Sequence, residues 1–137
     1  MERKILVLTD DSVVIRNLAA NIASSIKNQP AIKYSVSVLE AARFSAVDLL
    51  PAHAFFLGCE KPRSFAFPYI EDLFAHINLA GRSCGIFSSS ATAIKYLASL
   101  VRPSEANVGK PLLAVGDAMD GAALQNWAMG IVQEGYQ

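Results

Sequence analysis

The feature that most constrains this chain is a rhythm of short apolar runs separated by helical stretches. "KILVL" (Lys4 to Leu8), "HAFFLG" (His53 to Gly58), "SCGIFSSS" (from Ser83) and "PLLAVGD" (from Pro111) are continuous apolar segments of strand length. Strands that read apolar throughout belong in the middle of a parallel sheet, where both faces are covered. "IKYSVSVL" (Ile32 to Leu39) differs, because it alternates. Ile32, Tyr34, Val36 and Val38 fall on one face and Lys33, Ser35 and Ser37 on the other. That pattern suits an edge strand with a partly exposed face.

Between these runs the period changes to that of a helix. Ile15, Leu18, Ile22 and Ile26 share one stripe, with Asp11 or Ser12 as the N-cap and "NQP" as the stop. "YIEDLFAHINLAG" (Tyr69 to Gly81) predicts a helix stopped by Gly81. "ATAIKYLASLV" predicts one ended by Pro103, and "DGAALQNWAMGIVQ" predicts the last. "ARFSAVDLLP" reads as a connection with at most a short helical turn, and "CEKPRSFAFP" as a long loop.

Strands alternating with helices imply a parallel sheet covered on both sides, and right-handed crossovers make it doubly wound. The expectation is one α/β domain spanning residues 1–137. It is a three-layer α/β/α sandwich around a five-stranded parallel sheet of order 2-1-3-4-5. The chain has 137 residues, 53% of them hydrophobic, enough to bury roughly two-thirds of the surface of the unfolded chain. In this architecture ligands sit beyond the carboxyl ends of the strands. Three loops meet there: 9–14, 58–68 and 88–92.

Composition excludes several classes. Lysine plus arginine equals aspartate plus glutamate at 12 each, so there is no basic excess for nucleic acid. No apolar run approaches the ~18 residues of a membrane span. The start "MERKILVLTDD" is too short and too charged for a secretion signal. The two cysteines, Cys59 and Cys84, have no zinc-like spacing and form no disulfide framework. A reduced, cytoplasmic setting is expected.

The first loop, "LTDDSVVIR", leaves three readings open: a phosphate loop, an acidic metal pocket, or a capped helix. Asp10 and Asp11 as helix-capping or dipole-complementing residues would each contribute ~0.3 to 1 kcal/mol. Cys59 is the one thiol predicted at the active edge, where Glu60 would raise its pKa and Lys61 lower it. His53 opens a strand at the opposite end and reads as structural. His76 falls in a helix interior, so no Ser-His-Asp arrangement forms. Phe67 and Tyr69 open a helix and are expected on the core, as is Trp127.

As a whole, "FFLGCEKP", "LAGRSCGIFSSS" and "VGKPLLAVGDAMDGAALQNWA" resemble the flavodoxin-like family over roughly residues 3 to 135. The resemblance implies FMN as cofactor, electron transfer as activity and a redox partner protein. It places the phosphate at Thr9, Asp11, Ser12, Val13 and Val14, and the ring near Gly58, Cys59, Glu60, Ser88, Ser89 and Ser90. This chain departs from the family's hydroxyl- and glycine-rich first loop. Asp11 replaces a hydroxyl, Ser12 the glycine and Val14 the last threonine, and Asp11 is expected to face the anion. The degenerate loop keeps open a cofactor-free interaction or regulatory module. Locally, "KILVLTDDSVVIRNLAANI" is similar to the opening of response-regulator receiver domains. Gly58 stands where a receiver carries its acceptor aspartate, and "AVGD" replaces the lysine that closes the fifth strand, so this reading gives a pseudo-receiver.

Overall fold

A computed structural model describes residues 3–29, 33–114 and 121–134. Its strands are β1 (Arg3–Thr9), β2 (Tyr34–Glu40), β3 (Ala54–Gly58), β4 (Ser83–Ser88), β5 (Asn107–Val108) and β6 (Leu112–Leu113). Its α-helices are α1 (Val13–Lys27), α2 (Ala46–Leu49), α3 (Phe67–His76), α4 (Ala91–Val101) and α5 (Gly121–Glu134). Every strand pairing is parallel, and the order is β2-β1-β3-β4-β5, with β6 also on β4. The expected 2-1-3-4-5 sheet is therefore present, with its fifth position shared by two short segments.

Alternation along the inner strands sends side chains into two separate cores. Ile5, Val7, Ala54, Phe56 and Phe87 meet Ile15, Ile22, Ile26, Ala128 and Val132 from α1 and α5. Leu6, Leu8, Phe55, Leu57 and Ile86 meet Phe67, Ile70, Phe74, Leu97 and Val101 from α3 and α4. Each large side chain buried this way contributes about 1.5 to 3 kcal/mol against exposure. Trp127 packs its ring edge-on to Phe56, with centroids 5.4 Å apart, and donates from Nε1 to the Lys110 carbonyl at 2.6 Å.

Two elements differ from expectation. The helix expected at 69–81 starts at Phe67 and ends at His76. Leu79 ends it, because that buried side chain joins the core while its N–H donates to the Ser104 carbonyl at 2.7 Å. Gly81, at φ +88°, closes the turn into β4 rather than the helix. The strand expected at 111–117 is broken. Cys84 pairs with Val108 and Phe87 with Leu112, so the outer segment carries one extra residue, and Pro111 within it has no N–H to donate. The rest of that expected strand, from residue 115, lies outside the described residues, as does Ile32 of the expected second strand. The expected short turn between β2 and β3 is a 3-10 turn over Ala41–Arg43 followed by the single turn α2.

Candidate functional site

The carboxyl ends of β1, β3 and β4 carry the three loops named above. Thr9 and Asp10 are the last buried residues of the first, with Asp10 only 3% exposed. The strand leaves them facing the second loop rather than solvent. Ser12 then caps α1, its Oγ accepting from the Ile15 N–H at 3.4 Å. Asp11 is exposed, as are Val13 and Val14. The carboxylate turned into the loop contacts is thus Asp10, while Asp11 lies exposed.

Asp10 ties two loops together. Its Oδ1 accepts from the Ser12 N–H at 3.0 Å. Its Oδ2 accepts from the Glu60 N–H at 2.7 Å and from the Ser64 hydroxyl at 3.0 Å. Three donors converge on one buried carboxylate, and hydrogen bonds to an ionised acceptor are about twice as strong as neutral ones. This carboxylate joins the first loop to the second. Among the described residues no three His, Cys, Asp or Glu side chains are placed to hold a metal ion.

The second loop carries backbone strain. Arg63 at φ +54° and Ala66 at φ +72° both lie in the left-handed region that favours glycine. Contacts at both ends hold it. Ser64 donates to Asp10, and the Arg63 guanidinium donates from Nε to Glu71 Oε2 at 3.0 Å. Glu71 also accepts from the Tyr96 hydroxyl at 2.6 Å, joining the loop to α4. Burial, then this bond to Glu71, pushes the Tyr96 phenol pKa upward. Phe65 projects into solvent, 76% exposed, and Phe67 is fully buried as expected, but Tyr69, also expected on the core, is exposed and lies edge-on to Phe44.

Gly58 and Cys59 lie between the loops. A Cβ on Gly58 would come within 2.3 Å of the Phe87 ring, so the ring occupies the space where a receiver would place its acceptor side chain. Cys59 is buried, and its thiol pKa is raised to about 12, first by burial and then by the Asp10 carboxylate. The expected influence of Glu60 and Lys61 on this thiol is replaced by that of Asp10, on a different loop and far away in sequence.

The third loop is neutral. Ser88 donates to the Cys59 carbonyl at 2.6 Å and accepts from the Ser90 N–H at 3.0 Å. Ser90 caps α4 by accepting from the Ala93 N–H at 3.3 Å. Ser89 is half-buried beside them. Thr9 Oγ1 is buried and has no hydrogen-bond partner among the described residues. His53, at the other end of the sheet, accepts on Nδ1 from the Lys4 N–H at 3.3 Å, and His76 is exposed at the end of α3.

Sequence reasoning placed Thr9, Asp11, Ser12, Val13, Val14, Gly58, Cys59, Glu60, Ser88, Ser89 and Ser90 on one edge, and the fold sets them at the carboxyl ends of β1, β3 and β4 or in the first turn of α1. It missed Ser64 and the Arg63–Glu71–Tyr96 chain. No spacing pattern marks these residues, because their contacts depend on how a loop of irregular backbone folds back.

No family model matches the chain, and no curated protein matches it. Solved structures do. A flavodoxin from the domain Archaea aligns at TM-score 0.76 and 17% identity, covering 98% of this chain and 99% of that one. Oxidised Flavodoxin 2 from Bacillus cereus aligns at 0.75 and 18%, covering 96% and 99%. The Mn²⁺-bound form of the response regulator Rcp1 aligns at 0.55 and 12%, covering 93% and 91%. The chain has the flavodoxin-like fold, with a more distant likeness to receivers. Among the described residues no helix is long and apolar enough to cross a membrane.

Proposed function

We propose that this chain is a flavodoxin-like interaction module that works without a flavin, its cofactor corner closed by its own carboxylate. The observation that carries this is the Asp10 cluster. By resemblance the first loop would donate to the phosphate of FMN and the second would hold the ring. Here the Ser12 N–H of the first loop and the Glu60 N–H of the second both donate to Asp10. A phosphate arriving there would find those donors taken and a carboxylate facing it. At ~6 Å that repulsion is roughly 1 to 5 kcal/mol for effective dielectrics between water and 20. As arranged, these residues do not fit FMN. The same edge exposes Val13, Val14 and Phe65, which supply apolar surface for a protein partner.

One observation favours a second reading, an FMN-dependent electron carrier serving a redox partner protein. The Thr9 hydroxyl, at the first hydroxyl position of the loop, is buried and unpaired among the described residues. Leaving it so costs about 1 to 3 kcal/mol, and an anion held there with Asp10 swung aside would satisfy it. The redox chemistry would then be the flavin's, with the chain supplying binding and orientation.

The two readings separate in the visible spectrum and in a fluorescence titration of FMN against wild type, Asp10→Thr and Asp11→Thr. The expected outcome is a colourless wild type that takes up no FMN at micromolar concentration. Asp10→Thr should bind at least about tenfold more tightly than wild type, a change of about 1.4 kcal/mol. Asp11→Thr should match wild type, because Asp11 is exposed. A yellow protein, or micromolar uptake by wild type, would replace the first reading with the second.

A further inference from the structure

The loop leaving β3 is held to the fold by polar contacts rather than by burial. None of residues 60–66 is buried, and Lys61, Pro62, Arg63 and Phe65 lie in solvent. Latches on its two sides hold it down instead. On one side the Glu60 N–H and the Ser64 hydroxyl donate to Asp10 Oδ2 at 2.7 and 3.0 Å. On the other, Arg63 Nε donates to Glu71 Oε2 at 3.0 Å, and the Tyr96 hydroxyl donates to the same oxygen at 2.6 Å. Between the latches lies the Cys59 thiol, fully buried and within electrostatic reach of both Asp10 and Tyr96.

The backbone of this loop opposes its latches. Arg63 at φ +54° and Ala66 at φ +72° carry a Cβ into the left-handed region, which disfavours it. Strain of this kind persists only where surrounding contacts over-determine it. Here those contacts are few. The Arg63–Glu71 pair is exposed, and the bonds to Asp10 are only partly buried. A strained segment with little buried surface is a local unit that opens more easily than the sheet unfolds.

We propose that residues 60–66 form a strap that opens as a unit while the sheet stays folded, freeing Asp10 and uncovering Cys59. Opening takes two of the three donors from Asp10 and leaves the Ser12 N–H. A carboxylate stripped in this way turns to water, because burying it with few donors is costly. The strap switches the corner between the closed state described under the proposed function, on which this inference rests, and an open one.

The two native cysteines provide the test. Cys84 is buried within β4 and reports unfolding of the sheet. The full chain is labelled with iodoacetamide at concentrations where rate scales with reagent, and peptide mass spectrometry gives the rate at each thiol. Cys59 should react at least about tenfold faster than Cys84. Urea below the unfolding midpoint should speed Cys84 steeply and Cys59 slightly, because strap opening exposes little surface. Ser64→Ala and Glu71→Gln each weaken one latch and should speed Cys59 about fivefold. Ala66→Gly relieves the left-handed strain and should slow it about threefold. Ile22→Val loosens a core that stays packed when the strap opens, so it should speed Cys84 about fivefold and leave Cys59 unchanged. Two thiols that react at one rate with the same urea dependence overturn the proposal. So does a Cys59 rate that follows Ile22→Val as Cys84 does, or that neither latch variant moves. None of these rates depends on flavin, so the strap stands or fails apart from the FMN titration.

Discussion

The two polar clusters at the carboxyl edge of the sheet solve the same problem with different chemistry. At the first, a buried charge gathers three donors from two loops, one of which is backbone-strained. At the second, the hydroxyls of Ser88 and Ser90 settle a turn and a helix cap with no charge. A neutral hydroxyl can be removed at modest cost because each partner loses one weak bond. A carboxylate holding two loops cannot, because its partners include main-chain N–H groups that nothing nearby would replace. The first cluster therefore determines the shape of the corner, and the second trims it. Cys59 belongs to both, through its carbonyl at Ser88 and its thiol beside Asp10.

The largest expected effect is that of Asp10→Ala. It strands the Glu60 N–H and frees the strained second loop, so unfolding in urea should show a loss of about 3 kcal/mol. A loss below about 1 kcal/mol would mean that the loops hold their places without the carboxylate. Next comes alkaline pH. The Cys59 thiol has its folded pKa raised to about 12, so the folded state keeps its proton longer than the unfolded state does. That stability is fully present below the unfolded thiol value, near pH 9, and is lost as pH rises toward 12. The slope approaches about 1.4 kcal/mol per pH unit. Urea midpoints at pH 8, 9.5 and 10.5 should fall steadily. In Cys59→Ala the fall should be shallower, with the other buried thiol, Cys84, and the Tyr96 phenol still contributing. Midpoints that fall equally in both proteins would place the thiol in a more open site. The smallest effect is that of Ser88→Ala, about 1 to 2 kcal/mol, from the lost bonds to the Cys59 carbonyl and the Ser90 N–H. A cost equal to that of Asp10→Ala would erase the contrast between the two clusters.

Much of this molecule was legible in one dimension. Buried parallel strands must be apolar on both faces, so "KILVL" and "HAFFLG" mark the centre of the sheet, and strict alternation marks β2 as an edge. Helical stripes such as Ile15, Leu18, Ile22 and Ile26 carry the same kind of information, because burial imposes a period on sequence. Crossover handedness then leaves few topologies, and the site edge follows. Local rules failed where a distant partner overrode them. Gly81 is a valid helix stop by propensity, yet α3 ends earlier because Leu79 is drawn to the core and to Ser104.

By itself, then, the sequence determined the layers, the strand order and the edge on which any site must lie, since each follows from periodic burial. Only the tertiary structure decided which of two adjacent aspartates turns inward. Asp10 and Asp11 are chemically identical, and no periodicity distinguishes them. What separates them is that β1 ends beside the loop leaving β3, so that the Glu60 N–H and the Ser64 hydroxyl reach the first carboxylate while the second faces solvent. Those donors are fifty or more positions away along the chain, and only the parallel pairing of β1 with β3 brings them within hydrogen-bond distance.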